Sequence, residues 1–138
     1  MPAGYSGTPL FRKLGYKEGF RALILNMPPG YHDLLKGLPG GITFDNSDFH
    51  GTYDLIHLFA ASRTELLKYM PGIKDHLDKK GMIWISWPKR ASSVKTDLND
   101  MIVRETGLLT GLVDVKVCAV DEVWSGLKFV FRLKDRKK

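Results

Sequence analysis

Phe20-Arg21-Ala22-Leu23-Ile24-Leu25-Asn26 carries apolar side chains at four consecutive positions, Ala22 to Leu25, and so predicts a strand buried on both faces. A strand that meets water on neither face belongs in a parallel sheet with helices packed above and below it. Pro28-Pro29-Gly30 ends the segment. Tyr53-Asp54-Leu55-Ile56-His57-Leu58-Phe59 and Gly81-Met82-Ile83-Trp84-Ile85-Ser86-Trp87-Pro88 repeat the pattern. Three such strands separated by helical segments make an α/β protein.

Outward from these strands, Thr8-Pro9 predicts the start of a short helix, threonine capping and proline first in the helix, with Gly15 closing it. Tyr31 to Leu38 reads as a second short helix before Pro39-Gly40-Gly41. Ile42-Thr43-Phe44 is a brief strand, followed by the polar turn Asp45-Asn46-Ser47-Asp48. Ser62-Arg63-Thr64-Glu65 matches a capping box, and Leu66, Leu67, Met70, Ile73 and Leu77 follow at helical spacing. Pro71 predicts a kink or restart, and Gly81 the end of that segment. Thr96 is expected to cap a helix carrying Leu98, Met101, Ile102 and Glu105, stopped by Gly107.

Period two returns at Val113, Val115, Val117 and Ala119, and again at Leu127, Phe129, Phe131 and Leu133. With Ser125-Gly126 nearby, this predicts an antiparallel pair with Trp124 in its turn. The expected architecture is a three-layer α/β sandwich: a Rossmann-like, mostly parallel sheet with a C-terminal antiparallel β-hairpin. It forms one domain over residues 1–138, with 1–7 and 134–138 as flexible ends. The eight residues from Asp45 to Thr52 are too few for a helical crossover, so the sheet should be irregular there.

The chain has 138 residues, 43% hydrophobic and 26% charged, enough for one core without disulfides or metal. Its longest apolar run is four residues, which excludes a transmembrane helix and so a membrane partner of that kind. Residues 1–7 lack the apolar core of a signal peptide, so the expected location is the cytoplasm. The net charge of +6 suggests nucleic acid, but the last seven residues hold five basic and one acidic side chain and carry four of those charges. A basic tail of this kind reads as a solubility device, which argues against a nucleic-acid interface. Cys118 lies in the apolar run Val117-Cys118-Ala119-Val120 and reads as a small core residue. His32, His50, His57 and His76 are too widely spaced for a local zinc site, so no metal is expected.

Leu14-Gly15-Tyr16-Lys17-Glu18-Gly19-Phe20-Arg21-Ala22-Leu23-Ile24-Leu25 resembles the lead-in and first strand of class I SAM-dependent methyltransferases. Tyr53-Asp54-Leu55-Ile56-His57 resembles their fourth strand, Lys80-Gly81-Met82-Ile83-Trp84-Ile85 their fifth, and the closing pair their sixth and seventh. Nearly the whole chain also resembles a family of small bacterial proteins known as a domain of unknown function. Gly4-Tyr5-Ser6-Gly7-Thr8-Pro9-Leu10, Ile85-Ser86-Trp87-Pro88-Lys89, the stretch from Gly111 to Glu122, and Trp124-Ser125-Gly126-Leu127-Lys128 carry that likeness. It brings no assigned activity, so no catalytic residue follows from it. The methyltransferase resemblance implies a reduced form of that fold and SAM as cofactor. Two departures count against SAM: the loop Asn26-Met27-Pro28-Pro29-Gly30-Tyr31 has one glycine where the superfamily has several, and the third strand with its helices is missing between Phe44 and Tyr53.

In such sheets ligands gather beyond the carboxyl ends of the parallel strands. That edge is expected to hold Asn26, Gly30, Asp45, His57, Ser86, Trp87 and Lys89. Asp45 reads as a turn aspartate or as an acid meeting a ribose. His57 reads as a hydrogen-bonded core histidine or as a general base. The stretch from Lys89 to Thr96 places three cations (Lys89, Arg90, Lys95) and three hydroxyls (Ser92, Ser93, Thr96) ahead of a helix, and reads as a solvated loop or a phosphate site. Trp87 and Trp124 would line an aromatic pocket if both lie at the edge. The composite expectation is a small module binding an anionic or nucleotide-like ligand, a monomer or weak homo-oligomer. The alternatives are a divergent SAM-dependent methyltransferase, and an interaction or self-association module using the hairpin edge.

Overall fold

A computed structural model describes residues 7–46 and 48–136. Leu10–Leu14 forms α1; Pro9 occupies the capping position in place of the expected Thr8, and Gly15 closes the helix at φ 92°. Arg21–Leu25 is β1, Tyr31–Leu34 is α2, Thr43–Asp45 is β2 and Tyr53–Phe59 is β3. Then come α3 (Arg63–Asp75), β4 (Leu77–Pro88), α4 (Asp100–Leu109), β5 (Leu112–Ala119), β6 (Trp124–Phe131) and α5 (Leu133–Arg136).

The described strands form one sheet in the order β2-β1-β3-β4-β6-β5. β2, β1, β3 and β4 run parallel, and β6 runs against both β4 and β5. On one face Leu23, Ile56, Leu58, Ile83 and Ile85 pack beneath Leu66, Met70 and Ile73 of α3 and Val103 of α4. On the other face Ala22, Ile24, Leu55 and Trp84 pack beneath Phe11 and Leu14 of α1 and Tyr31 of α2. The Trp84 indole donates to the Leu14 carbonyl at 2.7 Å, which fixes α1 over β4. Helix, sheet and helix give the three layers expected of doubly buried parallel strands.

Between β2 and β3 the described residues carry neither helix nor strand. Phe49 fills the space, stacking on His76 at 4.8 Å and 18° between ring planes. Among the described residues no helix is long and apolar enough to cross a membrane.

Several boundaries differ from the sequence reading, each for a physical reason. α2 stops at Leu34, not Leu38, and Gly37 turns at φ 88°. α3 ends at Asp75, and Leu77 to Gly81 belong to β4: Leu77 pairs with Tyr53 and Met82 with Leu55, across an irregularity. Leu77 kept the helical spacing by chance, because a buried strand residue is equally apolar. Gly81 ends no helix; it lets the backbones approach, since a Cβ there would lie 2.8 Å from the Asp54 carbonyl oxygen. Pro71 lies inside an uninterrupted α3. It sits on the exposed side of the helix with Leu67, whose carbonyl loses the amide that proline lacks.

The cap of α4 is Asn99, whose Oδ1 accepts from Ile102 N at 2.9 Å. Thr96 instead accepts from Leu98 N in a preceding turn. Trp124 is the first residue of β6, paired with Pro88, and the turn lies before it. In the C-terminal stretch read as a flexible end, Leu133–Arg136 forms a helical turn, with Arg136 Nε donating to the Phe131 carbonyl. Residues 1–6, 137 and 138 lie outside the described residues.

Gly107 does not stop α4, which continues to Leu109. A Cβ at Gly107 would lie 2.0 Å from the ring of buried Phe129. Alanine would help an isolated helix by about 1 kcal/mol, yet here it overpacks the core. Gly107→Ala is expected to lower the unfolding free energy by about 1–3 kcal/mol in urea titration. An unchanged or raised value would contradict this packing.

Candidate functional site

The carboxyl ends of β1, β3 and β4 meet at one edge of the sheet: Leu25 is level with Leu58, and Phe59 with Ser86. Beyond the end of β4 the chain runs from Lys89 to Asn99 without regular structure and then enters α4. Between this loop, the end of β4 and the first turn of α4 lies a cleft of about 790 Å³. Trp87, Pro88, Val94, Leu98 and Met101 give it apolar surface, and Lys89, Arg90, Lys95, Asp97, Asp100 and Ser125 its polar rim.

The charges of this rim are unequally satisfied. Asp97 Oδ1 accepts from Arg63 N at the start of α3, at 2.9 Å. Asp100 accepts from Met101 N and lies 3.9 Å from Arg104. Both carboxylates are therefore held near helix N-termini, where the exposed amides favour negative charge. The side chains of Lys89, Arg90 and Lys95 form no ion pair with any described residue. The cleft thus holds three cations without ion pairs among the described residues, beside two carboxylates held by backbone amides.

Of the residues singled out in the sequence, Trp87, Lys89 and Arg90 line this cleft. Ser92 and Ser93 do not; the Ser92 hydroxyl donates to the Lys89 carbonyl at 2.8 Å, which closes a turn. Trp87 and Trp124 do not share a pocket. Trp87 packs in the core under α3 and α4, whereas Trp124 packs with the residues under α1 and α2, edge-on to Phe59 at 5.0 Å. Neighbouring residues on paired strands face alternate sides, and Trp87 is level with Ser125, not Trp124. Lys95 and Thr96, the other polar members of the stretch from Lys89 to Thr96, also line the cleft. Ser125 and Asn99 are cleft residues that the sequence reading missed; the pairing of β4 with β6 and the true cap of α4 would have located them.

His57 lies two residues inside the edge, between Ile24 and Trp84, and is fully buried. Its Nδ1 is 2.8 Å from the Tyr31 hydroxyl, which is 2.7 Å from the Tyr16 hydroxyl. Its Nε2 is 2.7 Å from Ser86 Oγ, also buried. The file Tyr16–Tyr31–His57–Ser86 satisfies a neutral imidazole, which has one donor and one acceptor nitrogen. Burial pushes the His57 pKa down to about 3 and raises those of Tyr16 and Tyr31. The file is hydrogen-bonded throughout, and His57 and Ser86 are sealed from solvent.

The first-strand loop is occupied by its own contacts. Asn26 adopts φ 57°, and its side-chain amide donates to the Phe59 carbonyl at 3.0 Å and toward Glu65 at 3.3 Å. Glu65 Oε1 in turn accepts from Ala61 N, so the box expected at Ser62 closes one residue upstream. Pro28 and Pro29 offer no amide, and Tyr31 N donates back to the Pro28 carbonyl. Gly30, at φ 82°, is open on its side-chain side. Asp45 is level with Leu23, short of the edge, and holds the Tyr53 hydroxyl and the Arg21 guanidinium. The Tyr53 hydrogen bond, then Arg21, keeps its carboxyl below the usual range. Cys118 is half-buried on β5, and burial pushes its thiol up.

Against solved structures, this geometry has clear likenesses. The chain superposes on a SAM-dependent methyltransferase from Aquifex aeolicus with TM-score 0.63 and 13% identity, covering 87% of this chain and 86% of that one. It superposes on a ribosomal protein L11 methylase from Lactobacillus delbrueckii subsp. bulgaricus with TM-score 0.60 and 15% identity, over 89% and 75%. Magnesium protoporphyrin IX methyltransferase from Synechocystis PCC 6803, solved with bound SAH, gives TM-score 0.62 and 10% identity over 88% and 78%. The fold is Rossmann-like and methyltransferase-like. At these identities the likeness concerns fold alone. No family model matches the chain, and no curated protein matches it.

Within this methyltransferase-like fold, the residues at the first-strand loop do not fit an adenosyl cofactor. Asn26 bridges β1 to β3 and Glu65, the prolines remove amides, and Asp45 is committed to Tyr53 and Arg21.

The buried histidine has a consequence for stability. Unfolding returns His57 to a pKa near 6.5 from about 3, so between those values the unfolded chain binds more protons. Stability should therefore fall as pH drops below about 6.5, by up to about 1.4 kcal/mol per pH unit from this residue. His57→Gln should remove that component from the wild-type slope in urea titrations at several pH values. Identical slopes would contradict the buried neutral imidazole.

Proposed function

We propose that this chain is a small-molecule binding module that uses the cleft beyond β4 for an anionic, nucleotide-like ligand. The observation that carries the reading is the pairing state of the cleft. Lys89, Arg90 and Lys95 lack ionic partners while Asp97 and Asp100 are held near helix N-termini. A phosphate or carboxylate among the three cations would gain charge-assisted hydrogen bonds. The apolar surface of Trp87, Val94 and Met101 suits a planar or apolar remainder of the ligand. Asn26, Gly30, Asp45, His57, Ser86 and Trp124 take no part in this site. Ser92 and Ser93 contribute through the shape of the loop.

A divergent SAM-dependent methyltransferase is the second reading, and the comparisons support it more than they support the first. Methyltransferases recur among the similar folds, one solved with bound SAH. The geometry supports the first reading more, because the Asn26 side chain at the first-strand loop is already engaged by Phe59 and Glu65.

Isothermal titration with ADP, ATP and SAH separates the two. The first reading expects a nucleoside phosphate to bind, and Lys89→Ala with Lys95→Ala to weaken it about tenfold or more, the worth of one charge-assisted contact. SAH binding unaffected by those substitutions would favour the methyltransferase reading. No binding by any of the three would remove both.

A further inference from the structure

α3 and α4 share a second groove, of about 400 Å³, walled by Arg63, Leu67, Met70, Ile102, Glu105 and Leu109. Leu109 is 83% exposed and Leu67 58% exposed. Scattered exposed leucines are ordinary, but two at the walls of one apolar groove form a patch of the kind that marks a contact surface. The same patch holds both a projecting leucine and a depression able to receive one. It also holds both signs of charge: neither Arg63 nor Glu105 forms an ion pair with a described residue.

A two-fold contact requires one patch to be complementary to itself. This one meets the requirement twice, knob against hollow and cation against carboxylate. A foreign helix of one charge sign would satisfy only one of the two rim charges. We infer that the α3–α4 groove is the interface of a homodimer. Leu109 of each copy enters the groove of the other, and Arg63 of each faces Glu105 of the other. None of the groove-lining residues lines the cleft beyond β4, so the inference stands apart from the proposed ligand site.

Sedimentation velocity over a concentration series tests it, comparing wild type with Leu109→Asp, Arg63→Glu, Glu105→Arg and the double charge exchange. Wild type is expected to dimerise reversibly. Leu109→Asp should raise the dissociation constant about tenfold or more while leaving the melting temperature close to that of wild type when both are measured at concentrations where they are monomeric, since the side chain lies on the surface. Each single charge reversal should weaken the dimer, and the double exchange should restore it. A strict monomer up to about 1 mM overturns the inference. A Leu109→Asp dimer as tight as wild type, or a double exchange no tighter than its parents, overturns it as well.

Discussion

The constraint on which everything else rests is that Ile24, His57 and Trp84 stand side by side on adjacent parallel strands with no access to water. Strands buried on both faces demand cover on both, and α1 with α2 and α3 with α4 provide it. Parallel pairing then sends the connections of β1, β3 and β4 to one edge, so open polar side chains collect there. An imidazole at the centre of such a layer must be fully hydrogen-bonded. Tyr31 and Ser86 supply its two partners, and Tyr16 bonds to Tyr31 behind it, three residues from three separate segments. The file therefore helps set the register of α2 and of the segment after α1 against β3 and β4.

The same sheet explains how a methyltransferase-like fold can carry a site elsewhere. At the carboxyl ends of the paired strands β1 and β3, the Asn26 side-chain amide donates to the Phe59 carbonyl. Asp45, the last residue of β2, is used internally by Tyr53 and Arg21, and Phe49 stacks on His76 in the short connection to β3. The open volume lies instead beyond β4, where an eleven-residue irregular loop from Lys89 to Asn99 leads to α4.

How much of this was readable in the sequence depends on how local each cause is. Ala22 to Leu25 and Leu55 to Phe59 announce buried strands by composition alone, and Gly15 announces a helix end by its backbone freedom. Leu77, Gly81 and Gly107 were misread because their roles come from distant partners: Tyr53, the Asp54 carbonyl and the Phe129 ring. The cations of the cleft were visible at Lys89 and Arg90, since they follow a strand. Ser125 was not, because only the pairing of β6 with β4 brings it there. The union of His57 with Tyr31 and Tyr16 spans 26 and 15 residues of separation, beyond the reach of any local pattern.

Amide chemical-shift mapping during titration with ADP tests most directly where this fold does its binding. The account predicts shifts concentrated at residues 87–101, at Ser125 and at Arg63, whose amide bonds to Asp97, with Asn26 to Tyr31 and Phe59 to Ala61 unmoved. Shifts centred instead on Asn26, Gly30 and Phe59 would return the site to the first-strand loop and contradict it.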